Sequence, residues 1–176
     1  MKKIIAFAGS NSKQSINKKL VEYAASLLDK TNSEILDLND YELPLFSVDI
    51  EREKGYPENA KKFLDKIKES DGIIISLAEH NAAYTAVFKN LLDWMSRIEG
   101  KTFYGKPMLL MATSNGSRGG RSVLDIASSR FPRHDADIVA EFSLPGFNNN
   151  FSDGKIINEE LNRKLEDAVK TFEKAL

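Results

Sequence analysis

Apolar residues fall along this chain in two alternating rhythms, short continuous runs and longer stretches in which they return every three or four positions. The runs predict strands over residues 3–8, 34–38, 72–77, 106–113 and 136–142. The periodic stretches predict helices over 15–29, with Leu20, Ala24, Leu27 and Leu28 on one face, and over 58–69, with Phe63 and Ile67. Further helices are expected over 85–97 and 121–130, and a last one carries Leu161, Leu165, Ala168, Phe172 and Leu176 on one side. Residues 72–77 are almost unbroken β-branched sequence, as in a central strand covered on both faces. Pro107 is tolerated at the start of its run. Residues 39–57, with two prolines, a glycine and mixed charge, read as a long loop, and Ser152-Asp153-Gly154-Lys155 reads as a turn. Strands alternating with helices imply an α/β three-layer sandwich around a parallel sheet.

In such sheets ligands gather beyond the carboxyl ends of the strands. That rule selects three loops, at residues 9–17, 78–84 and 113–120. The first carries the most chemistry. Ser10, Ser12, Ser15 and Asn17 offer hydroxyls and an amide just where a helix begins, and the free N–H groups and positive dipole end of a first helical turn attract anions. Serine and asparagine are also the preferred residues for simply capping a helix. The loop lacks both G-x-x-x-x-G-K-[ST] and G-x-G-x-x-G, which excludes a Walker-type NTPase and the dinucleotide fingerprint. No aspartate ends the run at residues 4–8, which argues against a phospho-accepting receiver domain.

Composition narrows the classes further. The 176 residues suit a single domain over 1–176, and 41% hydrophobic with 29% charged residues is ordinary for a globular chain. With 25 basic and 26 acidic residues the net charge is -1, so neither a nucleic-acid footprint nor a strongly acidic docking face is expected. The absence of cysteine removes disulfides, thiol phosphatase chemistry and iron–sulfur ligation. Met1-Lys2-Lys3 leads into only five apolar residues, too few for a secretory segment, and no stretch is long enough to span a membrane. A cytoplasmic location is the default expectation. His80 and His134 are the only histidines, and without a second ligand at helical spacing no metal site is expected. His134, among Arg133, Asp135 and Asp137, reads as part of a solvated turn.

Taken together the three loops resemble the NAD(P)H-dependent FMN reductase family of the flavodoxin-like fold. Residues 9–20, Gly-Ser-Asn-Ser-Lys-Gln-Ser-Ile-Asn-Lys-Lys-Leu, are similar to its phosphate loop, with Ser12 where many members have Arg. Ala78-Glu79-His80-Asn81 stands where the family has Pro-Glu-Tyr-Asn, and is followed by Lys89-Asn90 and Asp93-Trp94; Thr85 replaces a second proline. Thr113-Ser114-Asn115-Gly116-Ser117-Arg118-Gly119-Gly120 carries the family's glycine pair, and Pro44-Leu45-Phe46 and Phe151-Ser152-Asp153-Gly154 extend the similarity over most of the chain.

The resemblance implies a five-stranded parallel sheet in the order 2-1-3-4-5. It implies bound FMN, held by Ser10, Ser12, Ser15, Ile16 and Asn17 at the phosphate and framed by Ala78, Glu79, His80, Asn81, Thr113, Ser114, Gly116, Gly119 and Gly120 at the ring. The implied reaction takes a hydride from NADPH or NADH and passes electrons to a small acceptor such as a quinone, azo compound, free flavin or metal ion. No side chain is nominated as catalytic, since the flavin carries the chemistry. The alternatives are an electron carrier without turnover and a flavin-free binding module.

Two finer expectations follow. Gly119 and Gly120, lacking Cβ, are expected to make room for the ring or a substrate. The 85–97 helix is apolar on two sides, with Val87, Leu91, Met95 and Ile98 in one stripe and Phe88 and Leu92 in another, while Trp94 is expected in the core. One side should meet the sheet and the other a partner chain, giving a homodimer or a tetramer, as the resemblance also implies.

Overall fold

A parallel strand buried on both faces needs a helix layer on each side, because its side chains alternate between them. The computed structural model, which describes residues 1–29 and 31–176, supplies both layers. In chain order the elements are β1 (Lys2–Gly9), α1 (Ile16–Ser26), β2 (Thr31–Leu36), α2 (Val48–Lys54), α3 (Glu58–Glu69), β3 (Gly72–Leu77) and the two-residue strands β4 (Glu79–His80) and β5 (Ala83–Tyr84). They continue with α4 (Ala86–Ile98), β6 (Pro107–Thr113), α5 (Arg121–Arg130), β7 (Asp137–Leu144), α6 (Phe147–Asn150), β8 (Phe151–Ser152), β9 (Lys155–Ile156) and α7 (Glu159–Ala175). The main sheet runs β2-β1-β3-β6-β7, all parallel. With the hairpins β4–β5 and β8–β9 set aside this is the expected 2-1-3-4-5 order, and the architecture is flavodoxin-like.

The alternation sorts the core into two halves. Ile4, Ala6, Ile74, Leu109 and Met111 face α1 and α7, meeting Leu20, Val21, Leu165, Val169 and Phe172. Ile5, Phe7, Ile73, Ile75 and Leu110 face α3, α4 and α5, meeting Phe63, Ile67, Phe88, Leu91 and Val123. The layers change sides between β1 and its neighbours: α1, which follows β1, covers one face, and α3, which follows β2, the other. The switch point therefore lies at β1 and β3. No helix of the described residues is long and apolar enough to cross a membrane.

The structure corrects several expectations. The second strand spans Thr31–Leu36 rather than 34–38, pairing with β1 from Lys2 opposite Thr31. It is an edge strand whose first residues are polar and largely exposed, so its start carries no apolar signal, and Leu38 belongs to the 3-10 turn Leu38–Asp40 that follows. The stretch 39–57, expected as loop throughout, contains α2. That helix buries no residue; it is held by Ser47, whose hydroxyl accepts from Asp49 N–H, by Asp49 and Glu51 in its first turn, and by Arg52 and Lys54 in its last. The last sheet strand extends to Leu144. His134 is buried rather than solvated, its Nε2 accepting from Arg130 Nε at 3.2 Å and its Nδ1 lying 3.1 Å from Gly100 O.

The burial of α4 is satisfied to a large extent within the chain. Phe88, Leu91, Leu92, Trp94 and Met95 are all buried within the single chain. The second stripe, Phe88 and Leu92, lies in the core itself, where Phe88 meets Tyr84 and Phe131, while the Pro44–Phe46 segment is tied to Asn90 and Trp94: Trp94 Nε1 donates to Pro44 O at 2.8 Å, Asn90 Nδ2 donates to the same oxygen at 3.0 Å, and Phe46 N–H donates to Asn90 Oδ1 at 2.8 Å. Phe46 also meets the Trp94 ring edge-on at 4.9 Å. The apolar excess of this helix is thus covered within the chain, by the core and, at Trp94, by this segment. Leu92, at 5% exposure, should behave as core. Leu92→Ala is expected to lower the unfolding free energy by about 2–4 kcal/mol in urea denaturation. A change under about 0.5 kcal/mol would mark Leu92 as a surface position instead.

Candidate functional site

The first loop is fixed from beneath by one buried side chain. Asn17, the second residue of α1, is 2% exposed, and its carboxamide points down between the ends of β3 and β6. Its Oδ1 accepts from Thr113 N–H at 3.0 Å and from the Ser76 hydroxyl at 2.7 Å, while its Nδ2 donates to Thr113 O at 3.2 Å. The strand end thus pairs with a side chain as it would with another strand. Thr113 in turn donates its hydroxyl to Leu144 O at 2.7 Å, tying β6 to β7. Asn17 and Thr113, both expected to touch a ligand, instead spend their side chains on joining the first and third loops.

Above this junction the serines are arranged as donors. The Ser10 hydroxyl accepts from Ser12 N–H at 3.2 Å, Ser12 from Gln14 N–H at 3.2 Å, and Ser15 from Lys18 N–H at 3.1 Å. A hydroxyl that accepts from the backbone still has its own proton to give. Among the described residues the N–H groups of Ile16 and Asn17 make no hydrogen bond either, as expected for the start of a helix. Three hydroxyl protons and two peptide N–H groups therefore lie at the positive end of α1, a donor set suited to a phosphate.

Of the lysines at the cradle, Lys13 is exposed within the loop and makes no ion pair among the described residues. Lys18 is taken up by Asp37, Nζ to Oδ2 at 2.5 Å, which holds the Asp37 carboxyl below the usual carboxylate range and raises the Lys18 ammonium. Asp37 Oδ1 also accepts from Asn39 N–H and Nδ2, and Asn39 Nδ2 reaches Asn11 O at 3.2 Å, so the outer side of the loop is tied to the end of β2. A cleft of about 510 Å³ opens beside the loop at Asn11, walled by Leu38, Leu43, Val87 and Leu91.

The second loop is the β4–β5 hairpin. His80 and Asn81 stand exposed at its tip and Ala78 is half-buried where it leaves β3. The Glu79 carboxylate accepts from Val123 N–H at 2.9 Å, so it does not stand free as an acid or base. Tyr84 stacks on Phe131 at 6.1 Å, and burial pushes its phenol up to about 12, keeping it neutral. Thr85, which caps α4, donates to Gly9 O at 2.8 Å and so joins the second loop to the first.

In the third loop the glycine pair has a different reason from the one expected. Gly119 and Gly120 both lie at positive φ, 56° and 76°. A Cβ on Gly119 would sit 2.8 Å from Pro145 N and 2.9 Å from Leu144 C, and one on Gly120 would sit 2.8 Å from Ala112 Cβ. The space left by their missing side chains is filled by the protein itself. Gly116 is exposed, with its carbonyl accepting from Gly119 and Gly146 N–H, and Ser114 O accepts from Phe147 N–H. Two supporting residues, Ser76 and Asn39, carried no weight in the sequence, and Thr85 was read only as the replacement of a proline. For Ser76 the available signal was a lone hydroxyl in an otherwise apolar central strand.

With this geometry in view, comparison with known proteins is informative. Residues 2–149 match the family described as NADPH-dependent FMN reductase. An uncharacterized protein of Mycoplasma pneumoniae is 29% identical over 150 residues, 81% of this chain and 86% of that protein. A 2-hydroxy-1,4-benzoquinone reductase of a Burkholderia species is 37% identical over 119 residues, 66% of this chain and 63% of its own length. The quinone reductases matched are spanned over 42 to 63% of their lengths. Among solved structures, the flavoenzyme NAD(P)H:(acceptor) oxidoreductase of Paracoccus denitrificans superposes with a TM-score of 0.75 at 24% identity, covering 99% of both chains, a likeness of fold.

The Asn17 junction makes a direct prediction. Asn17→Ala leaves Thr113 N–H and C=O and the Ser76 hydroxyl buried without partners, and each orphaned group costs about 1–3 kcal/mol. The expected loss in chemical denaturation is about 2–4 kcal/mol, against under about 0.5 kcal/mol for Ser12→Ala in the same loop. Equal, small losses for the two variants would show that the junction does not hold the loop.

Proposed function

Since the chain belongs to the NADPH-dependent FMN reductase family, we propose that it holds FMN across its three loops and reduces a small quinone-type acceptor at the expense of NADPH or NADH. The observation that carries the reading is the donor set at residues 10–17, where three serine hydroxyls keep their protons free at the start of α1. FMN, when bound, supplies the chemistry, accepting a hydride from the nicotinamide and giving electrons to the acceptor.

The chain's own residues bind and orient. Ser10, Ser12, Ser15 and the N–H groups of Ile16 and Asn17 receive the phosphate. Asn17 keeps that cradle in register with the third loop, and the 78–84 and 114–120 loops would frame the ring. No general acid or base is assigned, since Glu79, the carboxylate in the ring loops, is engaged by Val123 N–H. A quinone as acceptor is supported by the names of the benzoquinone and quinone reductases that the chain resembles. The residues of 39–57 that wall the cleft beside the loop are suited to selecting among acceptors.

A homodimer, or a tetramer, belongs to the same reading. Its support moves from α4 to the 45–56 stretch, where Leu45, Val48 and Tyr56 are exposed.

Purified or reconstituted protein should show flavin absorbance that bleaches on adding NADPH or NADH; a chain that takes up no FMN refutes the reading. The phosphate assignment has its own test. Ser10→Ala with Ser12→Ala should weaken FMN by at least tenfold and leave riboflavin unchanged, because each hydrogen bond to a charged group is worth about 1.5–3 kcal/mol. Equal losses for both ligands place the phosphate elsewhere. Sedimentation should give a dimer or larger species at assay concentration, and a fully active monomer removes the assembly from the proposal.

A further inference from the structure

The β4–β5 hairpin is too short to stand alone. It consists of two residue pairs, Glu79 with Tyr84 and His80 with Ala83, and lies outside the main sheet. Isolated hairpins are marginal in water even when longer. Its turn adds a cost, because Asn81 and Ala82 have φ of 51° and 59°. Asparagine tolerates that region, but for alanine it is a penalty of about 1–2 kcal/mol. Strain of this kind persists only where the surroundings over-determine the conformation.

Two anchors do so, and both lead to α5. Tyr84 lays its ring against Phe131, at the end of α5, and against Phe88 of α4. At the other end of α5, Glu79 Oε2 accepts from Val123 N–H at 2.9 Å. Val123 is the third residue of that helix. Its N-cap is Gly120, which offers no side-chain acceptor, and the first turn contains no acidic residue. The acceptor this helix start lacks is therefore supplied from 44 residues away, and a carboxylate is the group the dipole favours there. Because Gly120 ends the third loop and caps this helix, the bond ties the second loop to the helix that follows the third.

We propose that Glu79 is a positioning residue for the flavin ring. Through the Val123 N–H it sets the gap between the 78–84 and 114–120 loops and holds the strained turn at Asn81 and Ala82 in place, acting on the ring through the backbone it fixes. The proposal rests on the FMN reading above.

The test compares E79A and E79Q with the wild type, each freed of flavin and titrated with FMN and with riboflavin. E79A should weaken both ligands by the same factor, about tenfold, or about 1.4 kcal/mol, because both share the ring and only one carries the phosphate. E79Q should stay within about threefold of the wild type, since its amide oxygen still accepts from Val123 N–H. Thermal unfolding of the flavin-free variants establishes that they are folded; if E79A is not, E79D, which withdraws the carboxylate by one methylene, takes its place with the same expectation. Unchanged binding of both ligands in E79A, a loss confined to FMN, or an E79Q as weak as E79A would each overturn the proposal. A wild type that binds neither flavin overturns the FMN reading, and this proposal with it, before any variant is compared.

Discussion

The site depends on one carboxamide. Parallel strands end with unpaired backbone groups, and at the end of β6 the N–H and C=O of Thr113 are buried where no further strand continues. Asn17 meets both of them at once, and its second lone pair takes the Ser76 hydroxyl from β3. A residue that could only donate or only accept could not do this. The start of α1 is thereby set at a fixed height over two strands, and with it the row of serines that precedes the helix. The remaining ties, Thr85 to Gly9 and Glu79 to Val123, complete a triangle in which each ligand loop is bonded to the other two or to the helix that follows one of them.

Much of the fold was legible because the central strands carry their burial in their composition. β3 is apolar on both faces except for Ser76, and its limits in the structure are those its sequence predicts. The edge was harder to read. β2 begins with Thr31, Asn32 and Ser33, residues whose strand state comes from pairing with β1 rather than from any pattern of their own. α2 left no trace because it buries nothing, and a helix held by its caps and end charges has no stripe. At α4 the two apolar stripes were legible, while the residues of the same chain that cover them were not. Local sequence tells that a face must be covered, but not that Phe88 meets Phe131 or that Trp94 meets Pro44 and Phe46, some fifty positions earlier.

The same limit governed the site residues. The positions of the three loops followed from topology, and the serines were identifiable as a row of hydroxyls after a strand. Their roles depended on distant partners. The pair Gly119 and Gly120 announces a turn with positive φ, but what lies within 3 Å of the missing Cβ atoms is the backbone of Leu144 and Pro145 and the side chain of Ala112. The Asn17 amide was read as offered to a ligand where the helix begins, whereas its side chain is taken up by two strand ends and only its backbone N–H faces the cradle.

The Lys18–Asp37 pair has a consequence for how the molecule would respond to its solvent. By closing the Lys18 ammonium into an internal couple, it leaves Lys13 as the cation within the loop, beside neutral hydroxyls and peptide groups. A clamp built from arginines and lysines loses its grip as dissolved ions accumulate around it, because the attraction acts over distances comparable with the Debye length of about 8–10 Å. Short-range donors on a rigid frame are largely exempt from that screening. On the FMN reading proposed above, retention of the phosphate would then depend on ionic strength less steeply than in a site with Arg in place of Ser12.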